Sequence, residues 1–424
     1  MTLHPLAPRP VVVVALITAL CLLGDSALYV VLPSRLEVFA VTPAGAGLIL
    51  GINRYIRVLF NKGAGWAFER FGFHGPFVSA ILLAVLTTAS YGLFIGFWLL
   101  FVAHCLWGIS WSILRLGGYL VVIESGRGVS VGRLMGVLQG ISRVGSLVAV
   151  ISGGLLADTV GGRQTFVTFA VVTLTALALL PLGRVPRSLG HGTEGPPDCK
   201  TGPGMSSTQM AANSAKIWTL YAEAAMVWLL FPGLTVGTVA YLVRTVAGDG
   251  TFLWGVFLGV ATLSGSLVAV RWISDLGLGP VFGALSDKLG RSKVILTSMA
   301  VAFVALFMVA LNQSLLVVIA AFVAAFLANT ALHVTLNASV GELAPLGKRA
   351  AILSWYTTWA DIGSGTGPVL GLPLVTMAGF GWAYGSAAAL LVVAALLYAI
   401  VFARNPIEAK RSTQPGPHIG HGAL

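Results

Sequence analysis

The stretch GALSDKLGRSK at residues 283–293 is a short polar segment between two long apolar runs. An earlier stretch, GWAFERFG at residues 65–72, aligns with it under a constant shift of 218 residues, from position 65 to position 283. Both copies keep a glycine on each side of an acidic–basic pair. Charged side chains are costly inside the hydrocarbon layer of a membrane. The two stretches therefore indicate charged turns, each joining two membrane-spanning helices.

The composition of the chain places it in lipid. Of its 424 residues, 57% are hydrophobic and 9% are charged, whereas a soluble domain carries about 25% charged residues. The mean hydropathy is +0.92, which excludes a water-soluble globular protein. The net charge of +11 does not indicate nucleic-acid binding, because the basic residues lie between the apolar runs rather than in one cluster.

Twelve apolar runs have the length of about 20 residues that an α-helix needs to cross a bilayer. We expect spans at residues 11–33, 43–61, 76–95, 98–122, 134–157, 164–182, 217–240, 252–282, 294–311, 315–338, 351–377 and 382–403. On the side opposite the termini, the only basic residues between spans are Arg35, Arg163 and Arg244. The positive-inside rule therefore predicts a multi-pass protein of the inner (cytoplasmic) membrane with both termini in the cytoplasm.

The 218-residue shift extends beyond the two turns and relates the two halves of the chain. It aligns Glu124 with Glu342 and Gly145 with Gly363. Duplicated sets of helices are typical of transporters whose binding site lies between the repeats. The sequence predicts an all-α membrane protein of two six-helix bundles joined by a polar linker. The expected divisions are a first bundle at 1–183, a cytosolic linker at 184–216, a second bundle at 217–404 and a disordered cytosolic tail at 405–424.

The stretch at 283–293 closely resembles the loop signature of the major facilitator superfamily, G-x-L-x-D-[RK]-x-G-R-[RK]-[RK]. The first copy departs from this signature, because Glu69 replaces the aspartate and Phe73 and His74 replace the basic pair. The resemblance implies a secondary transporter that works by alternating access, with the loop steadying the cytoplasmic ends of neighbouring helices. The alternative is that the loop charges only fix the topology. The residues concerned are Gly65, Glu69, Arg70, Gly72, Gly283, Asp287, Lys288, Gly290 and Arg291.

Two further patterns of the family leave the direction of transport open. Many proton-antiporting exporters carry Gly-x3-Gly-Pro-x2-Gly-Gly in span five. Here span five lacks the central Gly-Pro, and span eleven carries it instead as Gly367-Pro368. The span-four arginine of proton-coupled members is replaced by His104.

Arginines in one half align with aspartates in the other. An ionisable group at bilayer depth costs at least about 2.5–3.5 kcal/mol, so it should face a cavity or a partner. Because spans two and eleven face each other in the family, as do spans five and eight, we expect ion pairs Arg57–Asp361 and Arg143–Asp275 between the halves. They would close the cytoplasmic half of the path in the outward-open state and break in the inward-open one. The alternative is pairing within a half, Arg271 with Asp275. The candidate gate residues are Arg57, Arg143, Arg271, Asp275 and Asp361.

Polar and aromatic side chains recur every four residues on span four and on its repeat counterpart, span ten, so each set shares one helix face. Spans one, four, seven and ten line the substrate cavity in the family. A polar stripe beside aromatic rings suits a site that orients an organic ligand. The alternative is packing between helices. Arg54 is a further candidate for the cavity lining, and it is also the alternative to Arg57 as the partner of Asp361. The candidate cavity residues are Arg54, Trp107, Trp111, Arg115, Tyr119, Asn329, His333 and Asn337.

Asp25, near the middle of span one, is the most isolated acid in the predicted membrane core, and Glu223 on span seven is the second choice. An isolated membrane carboxyl group is the kind of group that carries protons in transporters. The alternative is a structural pairing of Asp25 with Arg54 or Arg115.

These patterns predict proton-coupled export of a small organic molecule, either a drug-like compound or a metabolite such as a siderophore. The alternative is proton-coupled uptake of an organic anion, and a remote alternative is a non-transporting receptor or scaffold. The sequence shows no metal cluster and no Ser-Lys or Cys-His pair, so we expect neither an enzyme nor a cofactor. The expected partners are the substrate, protons and the bilayer, and the chain is expected to be a monomer. The charges left after the two ion pairs favour a zwitterionic or anionic substrate over a lipophilic cation: Asp25, Arg54, Arg115, Glu223 and Arg271.

Overall fold

The computed structural model describes residues 8–126, 131–183, 207–253, 255–312, 314–344 and 349–402. Almost all of the described chain is helical. The helices are α1 (Arg9–Ser34), α2 (Pro43–Phe71), α3 (His74–Leu93), α4 (Phe97–Ser125), α5 (Val131–Thr159), α6 (Gly162–Leu174), α7 (Ala176–Leu179), α8 (Ser207–Trp228), α9 (Val236–Ala247), α10 (Val260–Gly277), α11 (Gly279–Leu289), α12 (Arg291–Leu311), α13 (Leu315–Leu343) and α14 (Arg349–Phe402). The strands are β1 (Gly250–Leu253) and β2 (Val256–Gly259), and a π-helical turn at Leu229–Thr235 joins α8 to α9.

Within the described ranges, nine helices are long and apolar enough to cross a membrane, or ten if the bent pair α10–α11 counts as one span. The helix α2 is not among the nine, because Arg54 and Arg57 lower its hydropathy. The 54-residue α14 is interrupted at Gly379, where φ is 86°. The fold is therefore an all-α membrane fold, as predicted, and the count of twelve spans stays a prediction.

Local signals in the sequence explain where α2 begins and where the two charged turns lie. The helix α2 starts at Pro43 after Thr42, whose hydroxyl oxygen accepts a hydrogen bond from Gly45 N at 3.1 Å. Such a cap satisfies an amide that has no partner inside the helix. The first turn follows at Gly72 with φ 67°, and the second at Gly290 with φ 94°. Glycine adopts these backbone angles without the strain that a Cβ would cause.

Two predicted boundaries differ from the structure. The sequence predicts span eight at 252–282, but Gly250–Leu253 and Val256–Gly259 form an antiparallel pair of strands and α10 begins only at Val260. Hydropathy does not distinguish a short apolar hairpin from the start of an apolar helix. The helix α8 begins at Ser207, inside the segment assigned to the linker. The rest of that linker and the predicted tail lie outside the described residues.

Helices from the two halves of the sequence pack backbone against backbone. A Cβ on Gly51 of α2 would meet the carbonyl oxygen of Gly365 in α14. A Cβ on Gly265 of α10 would meet the carbonyl oxygen of Val150 in α5. Small residues allow such close approach between membrane helices. These two contacts, α2 with α14 and α5 with α10, place the polar residues of the four helices next to one another.

Candidate functional site

Two adjoining cavities lie between the helices of the first half and those of the second. The Asp25 cavity has a volume of about 260 Å³ and is lined by Asp25, Arg143, Arg271 and Asp275 among others. The Asp361 cavity has a volume of about 280 Å³ and includes Asp361 in its lining. The residues that line both cavities are Arg54, Arg57, Trp111, Gln139, Ser142, Trp228 and His333.

The structure places seven of the eight candidate cavity residues on the linings of these cavities. Trp107 lines the Asp25 cavity, while Arg115, Tyr119 and Asn337 line the Asp361 cavity. Asn329 does not fit the prediction: it is buried and lies outside both linings. The helical spacing was correct, but the cavities reach α13 only at His333 and Asn337. The depth at which a cavity ends depends on neighbouring helices and is not encoded in the spacing.

Three arginines from the other half of the chain lie within 4.0 Å of the Asp361 carboxylate on α14. Its Oδ1 lies 2.6 Å from Arg57 Nη2 and 4.0 Å from Arg54 Nη1. Its Oδ2 lies 3.8 Å from Arg115 Nη1. One carboxylate therefore holds together guanidinium groups from α2 and α4. The predicted contact between Arg57 and Asp361 is present, and its role as a gate stays a proposal.

The second predicted pair is looser. Arg143 Nη1 of α5 lies 3.9 Å from Asp275 Oδ2 of α10. Asp275 Oδ1 also accepts a hydrogen bond of 2.8 Å from the Thr330 hydroxyl. Arg271 forms no ion pair with a described carboxylate, and its guanidinium stacks over the Trp272 ring at 4.7 Å. The pairing of Arg271 with Asp275 within one half, the alternative to the gate, is therefore not formed as an ion pair.

At the end of the bundle opposite the termini, the halves make two contacts that the sequence does not predict. Asp158, at the end of α5, accepts hydrogen bonds from Thr262 N at 2.7 Å, from Thr262 Oγ1 at 2.7 Å and from Ala261 N at 3.3 Å. Asp158 thus caps the start of α10, whose own preceding residue is a glycine without a capping side chain. Arg35 Nη2 lies 3.0 Å from Oδ1 of the same carboxylate.

The second missed contact joins α9 to the end of α1. Arg244 Nη1 donates to the Ser34 carbonyl oxygen at 2.5 Å and lies 2.8 Å from Glu37 Oε1. Together, the contacts Asp158–Thr262 and Arg244–Ser34 are called the opposite-end latch. The sequence signal for the latch is the isolation of basic residues on this side, which by itself indicates only topology. Which groups they meet depends on how the halves pack.

The Arg57–Asp361 pair coexists with the closed opposite-end latch. The sequence predicts that this pair is formed in the outward-open state and broken in the inward-open one. Both the Arg57–Asp361 contact and the latch are formed in this structure, so the breaking of the pair in the inward-open state stays a prediction.

Asp25 is less isolated than expected. Its Oδ1 accepts a hydrogen bond of 3.2 Å from Asn53 Nδ2 and lies 3.8 Å from His104 Nε2. His104 Nδ1 in turn lies 2.8 Å from the Tyr91 hydroxyl. The alternative pairing with Arg54 or Arg115 is not formed within the described residues. His104, at the position of the family's arginine, therefore contacts the candidate proton carrier.

Glu223 is the most isolated acid of the described helices. It is fully buried in α8, and neither carboxylate oxygen has a hydrogen-bond partner among the described residues. It lines neither cavity. The sequence showed that both acids lie in apolar helices. It did not show that Asn53 would donate a hydrogen bond to Asp25 while Glu223 has no hydrogen-bond partner among the described residues.

The two charged turns are held in different ways. Arg291, which is 6% exposed, lies 2.8 Å from Glu342 Oε1 and 2.5 Å from Asp287 Oδ1, and it also donates to Ser286 Oγ. It thereby ties the second turn to the end of α13. In the first copy, the corresponding position is Phe73. Its ring stacks on Phe77 at 4.8 Å, so aromatic packing takes the place of the charge network.

The other residues of the turns lie mainly at the surface. Glu69, Asp287 and Lys288 are exposed, as expected of charges at the end of a membrane helix. Arg70 is also exposed, and its guanidinium lies 6.0 Å from the centre of the Trp66 ring. Their assigned function in the transport cycle stays a prediction.

Comparison with known proteins agrees with this geometry. The Multidrug resistance protein MdtG of Citrobacter koseri is 23% identical over 394 residues, covering 90% of this chain and 91% of that protein. A crystal structure of a POT family transporter in complex with 5-aminolevulinic acid superposes with a TM-score of 0.75 at 12% identity, covering 93% and 95% of the two chains. The bacterial homolog of the human lysosomal transporter Spinster, in an inward-facing and occupied conformation, gives 0.73 at 17% identity, covering 95% and 98%.

The model of the Major Facilitator Superfamily matches residues 14–278 and 265–419, nearly the full length of the chain. The chain is therefore a multi-pass membrane transporter and belongs to the Major Facilitator Superfamily.

Proposed function

We propose that this chain is a proton-coupled exporter of small organic molecules, such as drug-like compounds or a siderophore-type metabolite. The observation that carries the proposal is the position of Asp361, which lines one of the two adjoining cavities and is shared by arginines of the opposite half. A polar site at the junction of two repeats is where alternating-access transporters bind their substrates. The name of the multidrug resistance relative supports export over uptake.

In this proposal the two halves, 1–183 and 217–404, rock about the cavities as rigid bundles. The contacts between α2 and α14 and between α5 and α10 would be the surfaces that change. The excess of basic residues near the termini supports an orientation with both termini in the cytoplasm and a location in the inner membrane. One chain holds both halves and both cavities, which supports a functional monomer.

Asp25 is proposed as the proton carrier, with Glu223 as the second candidate. Asp25 lines a cavity and contacts Asn53 and His104, so a proton released there can reach water. Glu223 would need a rearrangement before it could exchange a proton with a cavity. A carboxyl group that a proton gradient drives must change its protonation state during each cycle.

Replacing Asp25 with asparagine is expected to abolish pH-driven transport and to leave substrate binding intact, because the amide keeps the hydrogen-bonding shape but cannot ionise. The measurement is drug uptake into everted membrane vesicles or proteoliposomes, under imposed pH gradients of each sign. Asp249→Asn, at an exposed acid outside the cavities, is the matched control. Unchanged pH dependence in Asp25→Asn would rule out Asp25 as the carrier, and absence of any flux in the wild type would rule out the transport proposal.

The gate between Arg143 and Asp275 is tested by exchanging the charges. Arg143→Asp and Asp275→Arg should each lose most transport, because like charges then face each other across the α5–α10 contact. The double variant should recover a large part of it, since the attraction is restored. Substrate flux in the same vesicles measures both the loss and the recovery of transport. A double variant as inactive as the single ones would remove the proposed pair.

The second candidate function is uptake of an organic anion together with protons. The surplus of arginines on the cavity linings favours it. Flux measurements in vesicles distinguish proton-coupled uptake from proton-coupled export. Under symport, substrate and protons move the same way, so an outward substrate gradient should carry protons out, whereas an exporter of the antiport type should exchange them.

A further inference from the structure

The linings of the two cavities carry more positive than negative charge. Five arginines face three aspartates, which leaves two guanidinium groups without a carboxylate of their own. Uncompensated charges inside a membrane protein are costly, so they are kept where a partner or ligand offsets them. The residues are Arg54, Arg57, Arg115, Arg143 and Arg271, with Asp25, Asp275 and Asp361.

Arg271 is the least compensated of the five. It forms no ion pair in the described chain, and its Nε is buried without a hydrogen-bond partner. Asp275 attracts its guanidinium, while Arg54 and Arg143 repel it. Arg54 Nε is likewise buried and unpartnered. Three arginines that line this cavity, Arg54, Arg57 and Arg271, therefore have an Nε–H donor that no described protein group uses. Of these, Arg57 is already engaged through its Nη2 with Asp361 at 2.6 Å.

Aromatic rings form the apolar part of the same cavity. Trp272 lies under the Arg271 guanidinium at 4.7 Å, and Trp107 and Trp111 lie with ring centres 6.2 Å apart. Trp228 lines both cavities and contacts the His333 ring at 4.8 Å. Tryptophan rings stabilise planar apolar groups by burial and by offset or edge contacts. The lining thus offers guanidinium donors and indole rings within one cavity.

We propose that Arg271 and Arg54 bind the acidic group of an organic anion with an aromatic body, in the Asp25 cavity. Arginine is suited to this, because its planar fork donates two parallel hydrogen bonds to a carboxylate, phosphate or sulfonate group. This assigns Arg271 to substrate recognition instead of to the gate. The inference rests on the proposed transport function and specifies its substrate class.

Three naphthalene probes of similar shape test the charge preference of the purified full-length protein. They are 2-naphthoate, 2-naphthamide and 2-naphthylmethylammonium, which are negative, neutral and positive near neutral pH. We expect equilibrium dialysis or calorimetry to show 2-naphthoate binding about tenfold or more tightly than the amide, as one charge-assisted hydrogen bond provides. Equal or tighter binding of the amide or the cation would overturn the proposal.

Variants then locate the site. Arg271→Gln should reduce the preference for naphthoate over naphthamide to near unity, and Arg271→Lys should keep part of it. Arg133→Gln removes the same charge from an exposed position of α5 and should leave the preference unchanged. A loss in Arg271→Gln no larger than in Arg133→Gln overturns the assignment. If Arg271→Gln cannot be purified, Arg54→Gln takes its place, with the same two outcomes.

The vesicle assay keeps this test separate from that of the proposed function. Flux driven by a pH gradient without preference for the anionic probe would defeat the substrate class and leave the transport proposal standing. Selective binding of naphthoate without any pH-driven flux would support the substrate class and defeat the transport proposal.

Discussion

Asp361→Asn is expected to abolish transport and to destabilise the protein by about 3 kcal/mol, the lower end of the range for breaking a buried ion pair. The substitution keeps the shape of the side chain but removes the only carboxylate within reach of Arg54, Arg57 and Arg115 in the described chain. Three guanidinium groups would then repel one another. The lower end of the range applies because the Asp361 cavity, with a volume of about 280 Å³, is large enough to hold water that would screen the remaining charges. Unfolding of the purified protein in detergent, together with vesicle flux, measures both effects.

A second substitution shows whether the effect is electrostatic. Adding Arg57→Gln to Asp361→Asn should restore part of the lost stability, because it removes one of the uncompensated charges. Asp249→Asn serves as the control for loss of an acidic group at the surface. If Asp361→Asn proves as stable and active as Asp249→Asn, the three-arginine cluster does not hold the halves together.

Asp158→Ala is expected to shift the protein towards a state whose opposite end is open, by about tenfold to one hundredfold in population. Asp158 is the acceptor for donors at the start of α10 and for Arg35, and it spans the two halves. A hydrogen bond to a charged group contributes about 1.5–3 kcal/mol, and 1.4 kcal/mol corresponds to a factor of ten. The substitution would remove this stabilisation from the closed end only.

Distances between spin labels at Val38 and Phe257 report this shift, since both side chains are exposed at that end in different halves. The labels are introduced in a background without Cys21, Cys105 and Cys199. We expect a longer distance to gain population in Asp158→Ala and not in Asp249→Ala, which removes an exposed acid at the same end. An unchanged distance distribution would show that Asp158 does not latch the halves.

The candidate site was partly predictable because some of its properties are local. Spacing of four residues placed Trp111 and Arg115 on one helix face, and both line a cavity. The repeat aligned Arg57 with Asp275 and Arg143 with Asp361, which led to the correct contact of Arg57 with Asp361. The error at Asn329 shows the limit of this reasoning, because a helix face can be continuous while the cavity beside it is not.

Sequence and tertiary structure determine different features of this protein. Hydropathy, charge asymmetry and the repeat are properties of neighbouring residues or of a constant offset, so the sequence alone determined the membrane location, the all-α class and the family. Only the tertiary structure decided that three arginines lie around Asp361, that Asp158 caps α10 and that Arg271 forms no ion pair with a carboxylate of the described residues. These contacts join groups as far apart as the 304 residues between Arg57 and Asp361. Which charges meet depends on helix rotation and depth, and both are set by side-chain packing between helices that are distant in the sequence.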